Sequence, residues 1–317
     1  MTRGGGTPSP DARIDSLSPA RRELYLRLLR ERANARPARA GDVGDVGDGV
    51  VVLREGAPGR TDPVVLVHPI GGGVFCYGPL ARLLDGPRPV WAIAADTSPS
   101  AENGRTVAEL AEHYLELLAG RGVRRPGLLG GWSFGGLVAH EMARRHPAGV
   151  ERPVPVTLID SAPWPPGTGA WSTAETLRAY IDDLVGSGGA DVDVASLPDT
   201  LWRLPVPEAL DRASHELAER GFDLALGVDE LRRRYTVFEA MTRAMQRHAP
   251  GEYAGPVALL YATASGVGPG MWRPLSTGAP LVPHPLPGDH FSLLTGGTVR
   301  DVARLLLHSV NDLWEHR

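Results

Sequence analysis

Pro126-Gly127-Leu128-Leu129-Gly130-Gly131-Trp132-Ser133-Phe134-Gly135-Gly136-Leu137-Val138-Ala139-His140-Glu141-Met142 is the stretch on which the fold turns. A short apolar run, Leu128 and Leu129, enters Gly131-Trp132-Ser133-Phe134-Gly135, and Leu137, Val138 and Met142 then recur at helical spacing. This predicts a strand, a sharp turn and a helix arranged as a G-x-S-x-G nucleophile elbow. The turn strains the backbone of its central residue, and a side chain two positions before or after would collide with the neighbouring strand and helix. Ser133 is thereby expected clear of the sheet, at the start of a helix whose N-terminal dipole favours developing negative charge. With 39 glycines in the chain, a five-residue match alone carries little weight, so the flanking strand and helix decide the reading.

Around this stretch, strands and helices alternate from Val50 onward, which predicts an α/β fold with a mostly parallel sheet covered on both faces. Strands are expected at Val50 to Leu53, Val64 to Val67, Val90 to Ala94, Val154 to Ile159, Val257 to Tyr261 and Leu281 to Leu286. Helices are expected from Val74 to Leu84 and after the capping box of Thr106 and Glu109. Nearly a hundred residues separate Asp160 from Val257 and read as mostly helical: Ala174 to Leu184, Leu210 to Arg220 and Val228 to His248. This insertion, about 165–252, is expected to form a lid. Its apolar residues, among them Leu177, Tyr180, Trp202, Leu204, Tyr235, Phe238 and Met241, either line a pocket or pack the lid against the body.

The 317 residues, 42% of them hydrophobic, are ample for one large core in residues 49–317. Residues 1–48 read differently: a Gly, Pro and Ser-rich start expected to be disordered, a short basic amphipathic helix opening at Ser18-Pro19, and a tether containing a Gly-Asp-Val repeat. That helix either lies against the protein or serves as a docking element. A formal net charge of −4, from 33 basic and 37 acidic residues, gives no bias toward nucleic acid or an anionic membrane. No apolar run has membrane-span length and the N-terminus lacks a signal peptide's apolar centre, so a cytoplasmic protein is expected. The single cysteine, Cys76, excludes an intramolecular disulfide and any cysteine-built metal site.

A serine nucleophile needs a histidine to take its proton and an acid to hold that histidine. In an elbow fold the order is Ser, acid, His. Asp96 and Asp160 both close apolar strands, but Asp96 precedes the elbow, so Asp160 is preferred. Of ten histidines, His68, His113, His140 and His146 precede the acid, His215 and His248 fall in the insertion, and His308 and His316 lie on or beyond the last helix. His284 and His290 remain. His284 sits inside the expected last strand, whereas His290 follows the turn Pro287-Gly288-Asp289 and is preferred for its loop position. An oxyanion hole needs two backbone N–H groups. Phe134 supplies one, and Ile70 or Gly71, in the loop His68-Pro69-Ile70-Gly71-Gly72-Gly73, supplies the other. Trp132, Trp164 and Gly71 are candidates for the substrate pocket.

The run Val67-His68-Pro69-Ile70-Gly71-Gly72-Gly73, then Tyr77-Gly78-Pro79-Leu80-Ala81, the elbow, Leu158-Ile159-Asp160-Ser161 and Gly288-Asp289-His290-Phe291 resemble the thioesterase domains of nonribosomal peptide synthetases and polyketide synthases. The resemblance covers roughly Val50 to the C-terminus. It implies an α/β-hydrolase fold, Ser133, Asp160 and His290 as a catalytic triad, Ile70 and Phe134 as oxyanion donors, and no bound cofactor or metal. It also implies a substrate held as a thioester on the 4'-phosphopantetheine of an acyl or peptidyl carrier protein. Such a protein would release the chain by hydrolysis or macrocyclisation in natural-product, including antibiotic, biosynthesis. An acyltransferase that shuttles chains between carriers, and a non-catalytic binding protein, are the alternatives.

Overall fold

Four parallel strands end at one level, and this sets the position of everything that follows. In the computed structural model the described residues are 49–96, 104–146, 152–165, 167–190, 192–224 and 226–315, with side chains described as far as 307. The basic helix and tether expected within residues 1–48 lie outside them.

Among the described residues the strands are β1 (Val50–Arg54), β2 (Val64–Val67), β3 (Val90–Ile93), β4 (Leu128–Trp132), β5 (Val156–Ile159), β6 (Val257–Ala262) and β7 (Val282–Leu286). They form one sheet in the order β1-β3-β2-β4-β5-β6-β7, parallel throughout except for β1 against β3. Val64-Val65-Leu66-Val67 and Val156-Thr157-Leu158-Ile159 are buried at every position, the pattern of central parallel strands covered on both faces. The register pairs Val67 with Gly131, Trp132 with Ile159, and Ile159 with Leu260. The residues following β2, β4 and β5 therefore emerge along the same edge. The strand order reverses between β2 and β4, which opens a crevice at that edge.

Helices α1 (Gly78–Leu83), α2 (Val107–Gly120), α3 (Phe134–Arg145) and α7 (Thr298–Glu315) cover the sheet, α2 packed on α3 and α1 on α7. The capping box expected for α2 is present: Thr106 Oγ1 accepts from the Glu109 N–H, and Glu109 accepts from the Thr106 N–H. Between β5 and β6 lie α4 (Thr173–Ser187), α5 (Val206–Glu219) and α6 (Val228–Gln246). A second capping box, Ser172 with Glu175, starts α4. The insertion has its own apolar packing: Tyr180 meets Tyr235 and Phe238 at centroid distances of 5.5 and 5.4 Å and donates to the Leu231 carbonyl. Leu177, Tyr180, Leu201, Trp202, Tyr235, Phe238 and Met241 are buried in this way, whereas Leu184, Leu224 and Leu226 are half-buried and Leu204 is exposed.

At the turn from β4 into α3, Ser133 has φ 57° and ψ −126°. Gly135 packs directly beneath the Val67 and His68 carbonyls, and Gly131 against the Gly135 backbone, so a Cβ at either position would overlap main-chain atoms. Only glycine lets the helix approach the strands this closely.

Two histidines, His68 in the loop after β2 and His140 within α3, are buried and held neutral. His68 bridges Tyr114 Oη and the Pro69 carbonyl, each at 2.7 Å, and burial pulls its pKa from 6.5 to about 4. Burial lowers His140 from 6.5 to about 4 as well. The unfolded chain protonates both below about 6.5, so their contribution to stability is full above that pH and is lost as pH falls toward 4. The unfolding free energy measured in urea is expected to drop between about pH 7 and pH 4.5, by on the order of 2–3 kcal/mol per histidine. His140→Phe should flatten its share of the slope; a wild-type value unchanged over this range contradicts the assignment.

Candidate active site

Ser133 is pinned from both sides of its peptide. Its N–H donates to the Ile159 carbonyl at 2.9 Å, and its carbonyl accepts from Ser161 Oγ at 2.6 Å. The strained conformation is thus tied to β5. The side chain is half-buried, and its hydroxyl forms no hydrogen bond among the described residues. On the β2 side, Tyr77 Oη donates to the Val67 carbonyl at 2.6 Å and accepts from the Trp132 N–H at 2.8 Å. The phenol takes the place of a further β2 residue and props the two strands at the mouth of the crevice.

Asp160 follows β5 with φ 44° and is 1% exposed. Its Oδ1 accepts from the Ala262 N–H at 2.8 Å and from Ser265 Oγ at 2.7 Å, and its Oδ2 lies 2.7 Å from His290 Nδ1. A carboxylate with its other oxygen occupied by donors assigns the imidazole proton to Nδ1 and leaves Nε2 as acceptor. The His290 ring lies on Trp132 at a centroid distance of 4.9 Å, and Trp132 Nε1 donates to the His290 carbonyl at 3.1 Å. Asp289 accepts from the N–H groups of Phe291 and Ser292 and stiffens the turn. Of the two histidines left open by the sequence, His290 reaches Asp160; His284 is paired within β7 opposite Leu260.

The loop after β2 brings Ile70 and Gly71 to the same edge. The N–H groups of Ile70 and Phe134 donate to no protein acceptor among the described residues. Gly72, with φ 79°, fits where a Cβ would lie 2.9 Å from both Ala95 and Val237. Helix α4 spans this mouth: Asp183 Oδ2 is 3.5 Å from the position of a Cβ on Gly71, and Gly186 packs on the Phe291 ring. Burial pushes the Cys76 thiol up to about 12, so it stays protonated. Among the described residues, no cluster of three or more His, Cys, Asp or Glu could hold a metal ion.

The expected pocket residues part company. Trp132 is 4% exposed and spends its ring on His290 and Phe291, gripping the histidine loop instead of forming an open wall. Trp164 packs on Trp171 and lines a cavity of about 500 Å³ with Pro163, Pro165, Met271 and Leu275; Ser133, Asp160 and His290 are not on its walls. Gly71 lies at the mouth, under Asp183. Sequence reasoning missed Ser265, Ser161, Tyr77's hydroxyl and Asp183, since single polar residues in loops or helices carry no motif.

A family model described as "Thioesterase domain" matches residues 62–309. The chain is 38% identical over 107 residues to a probable thioesterase, lcsE, of Purpureocillium lilacinum, covering 32% of this chain and 33% of that protein. The match spans about a third of the length of such curated relatives. Among solved structures, a four-domain nonribosomal peptide synthetase bound to AMP and glycine superposes with a TM-score of 0.71 at 26% identity, over 85% of this chain and 20% of that one. The NocB thioesterase domain, in covalent complex with a fluorophosphonate nocardicin G analogue, gives a TM-score of 0.57 at 25% identity, over 79% of this chain and 96% of that one.

Ser265→Ala removes one of the two donors holding Asp160 Oδ1. It is expected to slow fluorophosphonate labelling of Ser133 by on the order of tenfold, the worth of one hydrogen bond to a charged group, with little change in melting temperature. Labelling at the wild-type rate shows that Ser265 does not orient the pair.

Proposed function

Because the chain belongs to the thioesterase domain family, we propose that it is a serine thioesterase that releases an acyl or peptidyl chain from the phosphopantetheine arm of a carrier protein, by hydrolysis or macrocyclisation. The observation that carries the reading is the His290–Asp160 hydrogen bond of 2.7 Å, held by the Trp132 ring beside the strained Ser133. The seven-stranded α/β-hydrolase sheet brings all of these to one edge.

In this mechanism His290 Nε2 takes the Ser133 hydroxyl proton as Oγ attacks the thioester carbonyl; the contact closes when substrate binds, as is common for catalytic hydrogen bonds that are loose in the free enzyme. The oxyanion rests on the N–H groups of Ile70 and Phe134, the second favoured by the α3 dipole. Buried Asp160 stabilises the imidazolium that forms. Collapse breaks the carbon–sulfur bond, and the imidazolium returns its proton to the departing pantetheine sulfur. Water, or a hydroxyl or amine of the bound chain, then gives a proton to His290 and attacks the ester. Ser133 leaves with the proton returned, and the product is a free acid or a ring. The α4–α6 insertion serves as the lid in this account, and water access beneath it decides between the two outcomes.

Ser133→Ala is expected to lower kcat/KM for an acyl-pantetheine thioester by on the order of 10⁴-fold or more, while leaving the fold intact by circular dichroism. Intact-mass spectrometry of the wild type with a loaded carrier protein should show the acyl chain on Ser133. Thioester turnover unaffected by the substitution sinks the proposal.

A further inference from the structure

Asp183 is a charged group at the mouth that the acyl-transfer mechanism leaves unused. It sits on the inner side of α4, half-buried, with Oδ2 3.5 Å from where a Cβ on Gly71 would be. One turn further along, Gly186 is packed on the ring of Phe291, the neighbour of His290. The carboxylate is thereby fixed between the loop carrying Ile70 and the loop carrying His290. Among the described residues it accepts no hydrogen bond and pairs with no cation. The nearest arginine on its own helix, Arg178, faces Asp199 and lies over the Trp202 ring. The titratable groups that Asp183 feels include His290, Cys76, Tyr180 and Asp182. Cys76 stays neutral and Asp182 repels it.

Such a placement works against the oxyanion of the reaction just described. A bare negative charge beside the Ile70–Gly71 peptide opposes the oxyanion that must form there, although it favours the His290 imidazolium that forms with it. A cation seated between the carboxylate and the carbonyl reverses the sign of the effect on the oxyanion. Among the described residues no arginine is paired with Asp183, and His290 is cationic only while it carries the Ser133 proton, so the substrate is the source left for a standing positive charge. We propose that Asp183 recognises a positively charged amine borne by the acyl chain close to its thioester carbonyl. The proposal rests on the thioesterase reading above and narrows its substrate class to chains such as 2-aminoacyl groups, whose ammonium lies two bonds from the carbonyl carbon. Burial raises the Asp183 carboxyl to about 6, and an ammonium beside it offsets that cost. Asp160 does not compete for the ligand, because its two oxygens are engaged by Ala262, Ser265 and His290.

The test compares 2-aminohexanoyl and hexanoyl N-acetylcysteamine thioesters at about pH 7, in the wild type and in the near-isosteric variant Asp183→Asn. Each protein gives a ratio of kcat/KM values for the two substrates, and the ratio of these ratios cancels the greater intrinsic reactivity of the amino thioester and any general loss in the variant. Asp183→Asn is expected to lower the preference for the amino substrate about ten- to hundredfold, the worth of a charge-assisted hydrogen bond. An unchanged ratio overturns the proposal, whether both rates stay the same or fall together, the latter meaning that the charge acts on His290 and not on substrate. Ser133→Ala run on the hexanoyl thioester separates the two failures. If hydrolysis persists in that variant, the thioesterase reading itself has failed; if hydrolysis is lost and the Asp183 ratio is unchanged, only the amine assignment falls.

Discussion

Backbone packed against backbone at Gly131 and Gly135 is the constraint from which the rest of the site follows. Helix α3 starts directly under the Val67 and His68 carbonyls because Gly135 offers no side chain there. That proximity forces the chain to reverse within one residue, and Ser133 takes the positive φ that the reversal demands. The hydrogen bonds from Ser133 N–H to Ile159 and from Ser161 to the Ser133 carbonyl hold the strain in place. The same reversal leaves the Phe134 N–H as the first unmatched donor of a helix. One steric fact thus produces both a half-buried serine at a strained turn and a helix-end amide without an acceptor among the described residues.

The parallel register then converts separate loops into one mouth. Strands β2, β4 and β5 end together, so the turns after them face each other across the crevice. Asp160 needs a buried position to be useful, and burial of a carboxylate needs donors; Ala262 and Ser265, at and just beyond the end of β6, provide them. His290 arrives from beyond β7 and is held by three different contacts, to Asp160, to the Trp132 ring and through its own carbonyl to the Trp132 indole. The insertion adds a roof whose aromatic packing is continuous with the core over the sheet, and α4 brings Asp183 and Gly186 over the mouth.

Much of this was legible from residue order, and the reasons differ by element. The buried runs at Val64–Val67 and Val156–Ile159, the capping box at Thr106 and Glu109, and the glycine spacing around Ser133 are local signals, because each depends on residues a few positions apart. The helices of the insertion were legible by periodicity, but what they cover was not. Tyr180, Tyr235 and Phe238 could equally have lined a cavity; they meet one another instead, a choice that depends on how three helices cross. Trp132 likewise read as a pocket wall and lies under His290, since a one-residue step along a strand reverses the face that a side chain presents.

The amino-acid sequence by itself determined the strand–turn–helix at Ser133, the alternating α/β plan and the short set of carboxylates and histidines able to serve it, since glycine spacing, strand order and chain direction restrict these before any long-range contact forms. Only the tertiary structure decided that Asp160 meets His290 and not His284, that Ser265 and Tyr77 hydrogen-bond where they do, and that Asp183 lies beside Gly71. These pairings join residues up to 130 positions apart, and a distance of that kind is set by sheet register and helix crossing, quantities to which no short stretch of chain has access.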